Sequence, residues 1–203
     1  MAINKKNITL NFIGLIFLFF SIAAIINSIY IGKPQAVLWF CYFGLFIISI
    51  GVFTKNDSLI ISQLNILAIP LIVWVLDFFS YFIFGRTILG ITDYMFTNGD
   101  IIGKIISFQH LITIPLSIYA LIKIRIKSSY ALKINLIQVP IFFVLSRYLT
   151  EEIHNVNCVY RPCMNILYFD LYPIAWFVSY ILMIIITNYL FITLMKKEIN
   201  LLN

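Results

Sequence analysis

The chain has 203 residues, of which 62% are hydrophobic and 11% are charged. A soluble globular domain carries about 25% charged and about 45–50% apolar residues, so this composition excludes a water-soluble fold. The net charge of +6 does not indicate nucleic-acid binding, because the 14 basic residues lie mostly at the ends of hydrophobic runs.

Long hydrophobic runs predict an all-α polytopic transmembrane bundle of about six spans, forming a single domain over residues 1–203. The predicted spans cover residues 10–31, 36–54, 59–84, 101–122, 130–149 and 173–195. The first run is interpreted as a span and not as a signal peptide, because the small-x-small triplet Ser21-Ile-Ala23 falls inside it. Pro70 and Pro115 mark positions at which the third and fourth spans can bend.

The distribution of basic residues predicts the orientation of these spans. Six spans put both termini on one side, and the segments on that side carry nine Lys and Arg residues against five on the other. The positive-inside rule therefore predicts a multi-pass protein of the cell membrane with both termini in the cytoplasm. The links 85–100 and 150–172 then lie outside.

Neither a metal site nor a cofactor is predicted. Cys158 and Cys163 frame a short loop and can form a disulfide if it faces an oxidising compartment, or remain two free thiols. With His154 alone they lack the second ligand pair of a zinc site. Glu151 and His154 match the Glu-x2-His spacing of di-iron bundles, but only one copy is present and two are needed.

Polar residues inside the spans are the candidate catalytic residues. Cys41, Asp77 and His110 lie in the outer halves of spans two, three and four. A charge at the centre of a span costs about 2.5–3.5 kcal/mol, so we expect Asp77 and His110 to face inward, with Arg147 or Glu151 as a partner. In a catalytic interpretation His110 is the general base, Cys41 the nucleophile and Asp77 the group that orients the imidazole. In a structural interpretation each is an interhelical contact worth about 0.6–2 kcal/mol.

The outer links supply candidate binding residues, and each of them also has a structural interpretation. The candidates are Asp93, Arg147, Glu151, Glu152 and His154. The link around residues 90–96 can instead be an interfacial loop with its aromatic rings in the headgroups, and residues 150–155 can be a solvated helix end. Asn135 and Gln138 are predicted to pack helices together.

Several short motifs resemble those of a family of uncharacterised prokaryotic six-span membrane proteins. They are Leu38-Trp-Phe-Cys41, Leu76-Asp77, Thr92-Asp-Tyr-Met-Phe96, Phe108-Gln-His110 and Glu152-x2-Asn155-Val-Asn157. The resemblance covers about residues 36–175, and its most specific part is the segment 92–96. It implies a six-span architecture and no activity, since that family has none assigned.

The fourth span is also similar to that of the androgen-induced protein family of intramembrane hydrolases. Those six-span proteins cleave fatty acid esters with a threonine and a histidine, and their histidine precedes a proline as His110 precedes Pro115. Their threonine lies early in the second span, where this chain has Cys41 and Tyr42. The resemblance therefore implies a cysteine in place of the threonine nucleophile.

Two hypotheses follow. The first is an integral membrane protein of unassigned biochemical function, whose inward polar residues form a cluster in the outer leaflet that holds helices together or lines a small path. The alternative is an intramembrane lipid hydrolase or acyltransferase that uses His110 with Cys41. Both predict membrane lipid as a partner and neither involves nucleic acid.

Overall fold

The computed structural model describes residues 5–126, 130–164 and 170–201, and these ranges contain helices and no strand. The α-helices are Lys5–Tyr30 (α1), Phe40–Phe53 (α2), Asp57–Phe84 (α3), Asp93–Phe96 (α4), Ile101–Ser107 (α5), Gln109–Ile124 (α6), Ala131–Leu149 (α7) and Tyr172–Leu201 (α8). Short 3-10 helices cover Pro34–Leu38, Glu152–His154 and Val156–Cys158.

The described helices include five segments that are long and apolar enough to cross a membrane. They are Asn7–Tyr30, Asp57–Phe84, Ile101–Ile124, Ala131–Leu149 and Tyr172–Thr193. A sixth apolar helix, α2, has 14 residues and so spans about 21 Å of a hydrocarbon core of about 30 Å. The chain is therefore a membrane protein, and the predicted all-α bundle of about six spans is confirmed.

The second predicted span is divided because its backbone leaves the helical conformation at Trp39 (φ −59°, ψ 131°). The Asn157 side chain bridges this break from a distant loop. Its Oδ1 accepts a hydrogen bond from the Phe40 N–H, and its Nδ2 donates to the Leu38 carbonyl, both at 2.8 Å. Asn157 thus supplies the N-terminal cap that the Trp39 side chain does not provide for α2.

The fourth predicted span is interrupted at Phe108, which separates α5 from α6. Backbone bonds of the tighter i, i+3 type surround it, from Phe108 N–H to the Ile105 carbonyl and from Leu111 N–H to the Phe108 carbonyl. Helix α3 continues through Pro70 and helix α6 continues through Pro115, so neither proline ends its helix.

The central element of the bundle is α3, which packs against α2, α6, α7 and α8, whereas α1 packs mainly against α2. Its first turn is capped by the Asn56 side chain, and it ends at Gly85, whose φ of +69° glycine adopts without cost. A glycine also brings α2 close to α3, because a Cβ at Gly44 would lie 2.7 Å from Leu67 Cδ1. We call the end of the bundle that carries residues 85–100 and 150–164 the outer end.

Candidate functional site

Asp77 lies near the outer end of α3 and is 1% exposed. Its carboxylate holds the loop that follows the helix: Oδ1 accepts from the Leu89 N–H at 2.6 Å, and Oδ2 accepts from the N–H and the hydroxyl of Thr92, both at 2.9 Å. Ser80, one turn later, accepts from the Ile88 N–H at 3.1 Å. A carboxylate is an acceptor only, and both of its oxygens are occupied by donors of this loop.

The segment Thr92–Phe96 docks this loop onto α3. The Tyr94 hydroxyl accepts from the Trp74 indole N–H at 3.1 Å and donates to Ser107 Oγ at 2.9 Å, which joins α3 to α5. Desolvation of this hydroxyl raises the pKa of Tyr94, so it stays a proton donor. The Phe96 ring stacks on Tyr81 with a centroid distance of 3.6 Å. These aromatic rings contact helices of the bundle, and the interfacial position considered for this loop stays a prediction.

His110 lies in the first turn of α6 and packs against Trp74, with ring centroids 4.6 Å apart. Trp74 is one turn before Asp77 on α3, so Asp77 and His110 both lie at the outer part of the α3–α6 interface. No hydrogen bond joins them within the described residues, and the Asp77 oxygens accept from Leu89 and Thr92 instead. His110 Nδ1 is buried and makes no hydrogen bond with any described residue.

Cys41 is a free, half-buried thiol in the first turn of α2, where it packs against the apolar core. Among the described contacts, no hydrogen bond links it to His110. A cysteine nucleophile requires its base within hydrogen-bond reach, directly or through one water. The structure therefore shows three candidate catalytic residues at one end of the bundle without a hydrogen-bonded relay between them.

Arg147 lies near the outer end of α7 and contacts the loop 150–164. Its Nη1 donates to the Val159 carbonyl at 3.0 Å, and its guanidinium carbon lies 4.8 Å from the centre of the Tyr160 ring. The Tyr160 hydroxyl in turn reaches the carbonyls of Arg147 and Thr150 at the end of α7. Arg147 makes no ion pair with a carboxylate of the described ranges, including Asp77 and Glu151.

The remaining candidate binding residues are exposed. Glu151 Oε2 lies 3.9 Å from His154 Nε2, and the Glu151 side chain is 83% exposed. Glu152 is also exposed, and exposed Asp93 accepts a hydrogen bond from the Thr87 hydroxyl. No group of three or more His, Cys, Asp and Glu residues that could hold a metal ion occurs in the described part of the chain.

The loop 150–164 is held by two asparagines and a disulfide. Cys158 and Cys163 are bonded, with Cα atoms 5.4 Å apart. Asn155 adopts a left-handed conformation and accepts from the N–H groups of Tyr160 and Arg161. Asn157 donates to Ser146 Oγ at 2.8 Å, and its carbonyl accepts from the Trp176 indole at 2.9 Å, so this residue connects α2, α7 and α8.

A second polar cluster, absent from our candidate site residues, lies towards the opposite end of α3. The Gln63 and Gln138 amides exchange two hydrogen bonds, at 2.8 and 3.0 Å. Asn65 donates to Asn135 at 2.9 Å and to Asn188 at 3.1 Å. These contacts join α3 to α7 and α8, as the packing role predicted for Asn135 and Gln138 requires. Amide side chains inside apolar runs are the sequence feature that indicates such interhelical contacts.

The buried face of α6 carries polar groups that are incompletely paired. Gln109, Thr113 and Ser117 follow one another at i, i+4 and i+8 and are each at most 1% exposed. The Thr113 hydroxyl lies 2.7 Å from the Gln109 backbone carbonyl and its side-chain oxygen. Gln109 Nε2 and Ser117 Oγ have no described partner. Ala120 and Leu121 continue this face as apolar residues, so the row of polar groups stops within α6.

A groove of about 370 Å³ lies between α7 and α8, and neither Cys41, Asp77 nor His110 lines it. No family model matches the chain, and no curated protein or solved structure is significantly similar to it. The two family resemblances of the sequence therefore remain predictions. The site is characterised by its own geometry, in which ionisable side chains near the outer end hold loops against helices.

Proposed function

We propose that this multi-pass membrane protein belongs to the scaffold or transport class, and that its intramembrane ionisable residues fix the outer loops of the bundle. One observation carries the proposal: both carboxylate oxygens of Asp77 are occupied by donors of the loop 85–92. Arg147 binds the carbonyl of Val159 in the second loop in a similar manner. Side chains with these partners position the backbone of the two loops.

The topology that we propose places both termini in the cytoplasm and the two loops outside. The basic residues support this orientation through the positive-inside rule. The Cys158–Cys163 disulfide supports it independently, because disulfides persist in oxidising compartments and are rare in the cytosol.

The alternative function is an intramembrane lipid hydrolase or acyltransferase. It is favoured by the buried Nδ1 of His110, which has no described hydrogen-bond partner and could accept a proton from a nucleophile. Cys41, the free thiol at the start of α2, would be that nucleophile.

Reactivity probes distinguish the two functions. The purified full chain would be treated with a fluorophosphonate and with an alkylating thiol probe, alongside the variants His110→Ala and Cys41→Ser. We expect His110→Ala to lower the thermal stability in detergent and to leave probe labelling unchanged, since the imidazole packs on Trp74. Labelling that is strong in the parent chain and lost in both variants would favour the hydrolase over the scaffold.

A further inference from the structure

The groove between α7 and α8 has a wholly apolar lining on the surface of the bundle. Pro140, Phe143 and Val144 of α7 and Ile174, Phe177 and Val178 of α8 line it. Val144, Ile174 and Val178 are 49–63% exposed. In a membrane these exposed side chains face acyl chains, so the groove opens to lipid and not to water.

The groove lies in the outer part of the bundle. Pro140 is nine residues before the end of α7, and Val178 is six residues after the start of α8. At 1.5 Å per residue the groove reaches about 13 Å below the outer end, which is about one leaflet of a hydrocarbon core of about 30 Å. One acyl chain of an outer-end lipid therefore matches its depth.

A positive charge lies above the groove. Arg147 follows Pro140 and Val144 at i+7 and i+3 on α7, so all three share one helical face. Its guanidinium donates to the Val159 carbonyl, while the Tyr172 hydroxyl at the start of α8 donates to the Cys158 carbonyl at 2.7 Å. Arg147 and Tyr172 therefore contact consecutive residues of one loop, and each lies on the outer-end side of the groove-lining residues of its helix.

The charge of Arg147 lacks a counter-ion in the part of the chain that the structure describes. One guanidinium nitrogen is used by Val159, and a guanidinium has five N–H donors in a planar fork suited to phosphate. This guanidinium attracts an anion at the level of the lipid headgroups.

We propose that this groove binds one acyl chain of an anionic phospholipid, whose phosphate lies beside Arg147. The side chains that line an empty apolar groove lack dispersion contacts on one side. In a membrane, acyl chains surround the groove and can supply these contacts. The guanidinium, which has no carboxylate partner in the described ranges, selects among the available lipids for negative charge. The site uses neither Asp77 nor His110, but it shares Arg147 with the scaffold proposal and relies on guanidinium N–H groups other than the one that donates to Val159.

Native mass spectrometry of the purified full chain in a non-ionic detergent tests the site. Palmitoyl-oleoyl phosphatidylglycerol and palmitoyl-oleoyl phosphatidylcholine carry the same chains and differ in net charge. We expect the phosphatidylglycerol to bind about fivefold more tightly, which is the effect of one basic residue near a headgroup. Arg147→Gln should remove this preference, and Arg86→Gln, which replaces an exposed arginine of the other outer loop, should retain it.

A second pair of variants tests the groove without changing charge. Val178→Phe fills the groove and should weaken binding of both lipids several-fold, whereas Ile185→Phe, two turns further along α8 and 51% exposed, should not. Equal affinity of the parent chain for the two lipids overturns the proposal, as does an equal effect of the two phenylalanine variants. A dimer in the mass spectrum that Val178→Phe dissociates would assign the groove to a second copy of the chain and overturn it as well.

Discussion

Thr92 donates two hydrogen bonds to the same oxygen of Asp77, one from its backbone N–H and one from its hydroxyl, each 2.9 Å long. Together with the Leu89 N–H on the other oxygen, these bonds tie Asp77 to a loop residue 15 positions later in the chain. Thr92 is fully buried, whereas its neighbour Asp93 is exposed. The carboxylate in the outer half of α3 is thus the anchor of an outer loop.

Asp77→Asn should destabilise this loop although it preserves the size of the side chain. An asparagine amide offers one acceptor and one donor group, so either Leu89 or Thr92 would face an NH2 group. A buried donor left without an acceptor costs about 1–3 kcal/mol. Thermal unfolding in detergent should show the loss, and hydrogen exchange should rise at residues 85–96.

Asp93→Asn is the matched control, because it makes the same chemical change 16 residues later at an exposed carboxylate. Substitutions at such sites usually change stability by no more than about 0.5 kcal/mol. Equal losses in the two variants would contradict the anchoring role of Asp77.

The sequence predicts the crossings because bilayer thickness dictates the length of apolar runs. The cost of a charge in hydrocarbon also predicts that Asp77 is buried. Its partners were not predictable, since they are two backbone N–H groups and one hydroxyl of a loop whose path depends on positive φ at Gly85 and Gly90. The capping role of Asn157 was not predicted either. Its partner Phe40 is 117 residues away, and a polar loop has no periodic pattern that indicates a distant partner.

Asn157→Ala should be one of the most destabilising single substitutions in the outer loops. It removes the cap of α2 and the donors to Leu38 and Ser146, and it places alanine at a φ of +54°. We expect a loss of about 3 kcal/mol from these unpaired groups and the strained backbone.

Two further variants separate the causes at this position. Asn157→Gly loses the same hydrogen bonds but tolerates the positive φ, so it should be about 1 kcal/mol more stable than Asn157→Ala. Asn98→Ala, at an exposed position of the other outer loop, should leave the unfolding temperature unchanged. If the alanine and glycine variants at 157 unfold together, the backbone conformation contributes nothing to the difference.

The reciprocal bonds between Gln63 and Gln138 should appear as a coupling energy in a double-mutant cycle. Gln138→Leu leaves the buried Gln63 amide without its partner and should cost about 1–2 kcal/mol. Adding Gln63→Leu removes the unpaired group, so the double variant should lose less than the sum of the single losses. Reversible unfolding in mixed micelles with dodecyl sulfate measures all four forms. Strict additivity would show that the two amides contribute independently.

The disulfide provides a direct test of the orientation. If the loop 150–164 faces the outside of the cell, a membrane-impermeant phosphine should reduce Cys158–Cys163 in intact cells and allow an impermeant maleimide to label both thiols. Without the phosphine, labelling should be absent, because Cys41 lies half-buried within the bundle. A cysteine introduced as Lys55→Cys, at the opposite end of α3, should react only after the cells are permeabilised. Labelling at position 55 in intact cells, with residues 158 and 163 protected, would show the opposite orientation. The loops held by Asp77 and Arg147 would then lie in the cytoplasm.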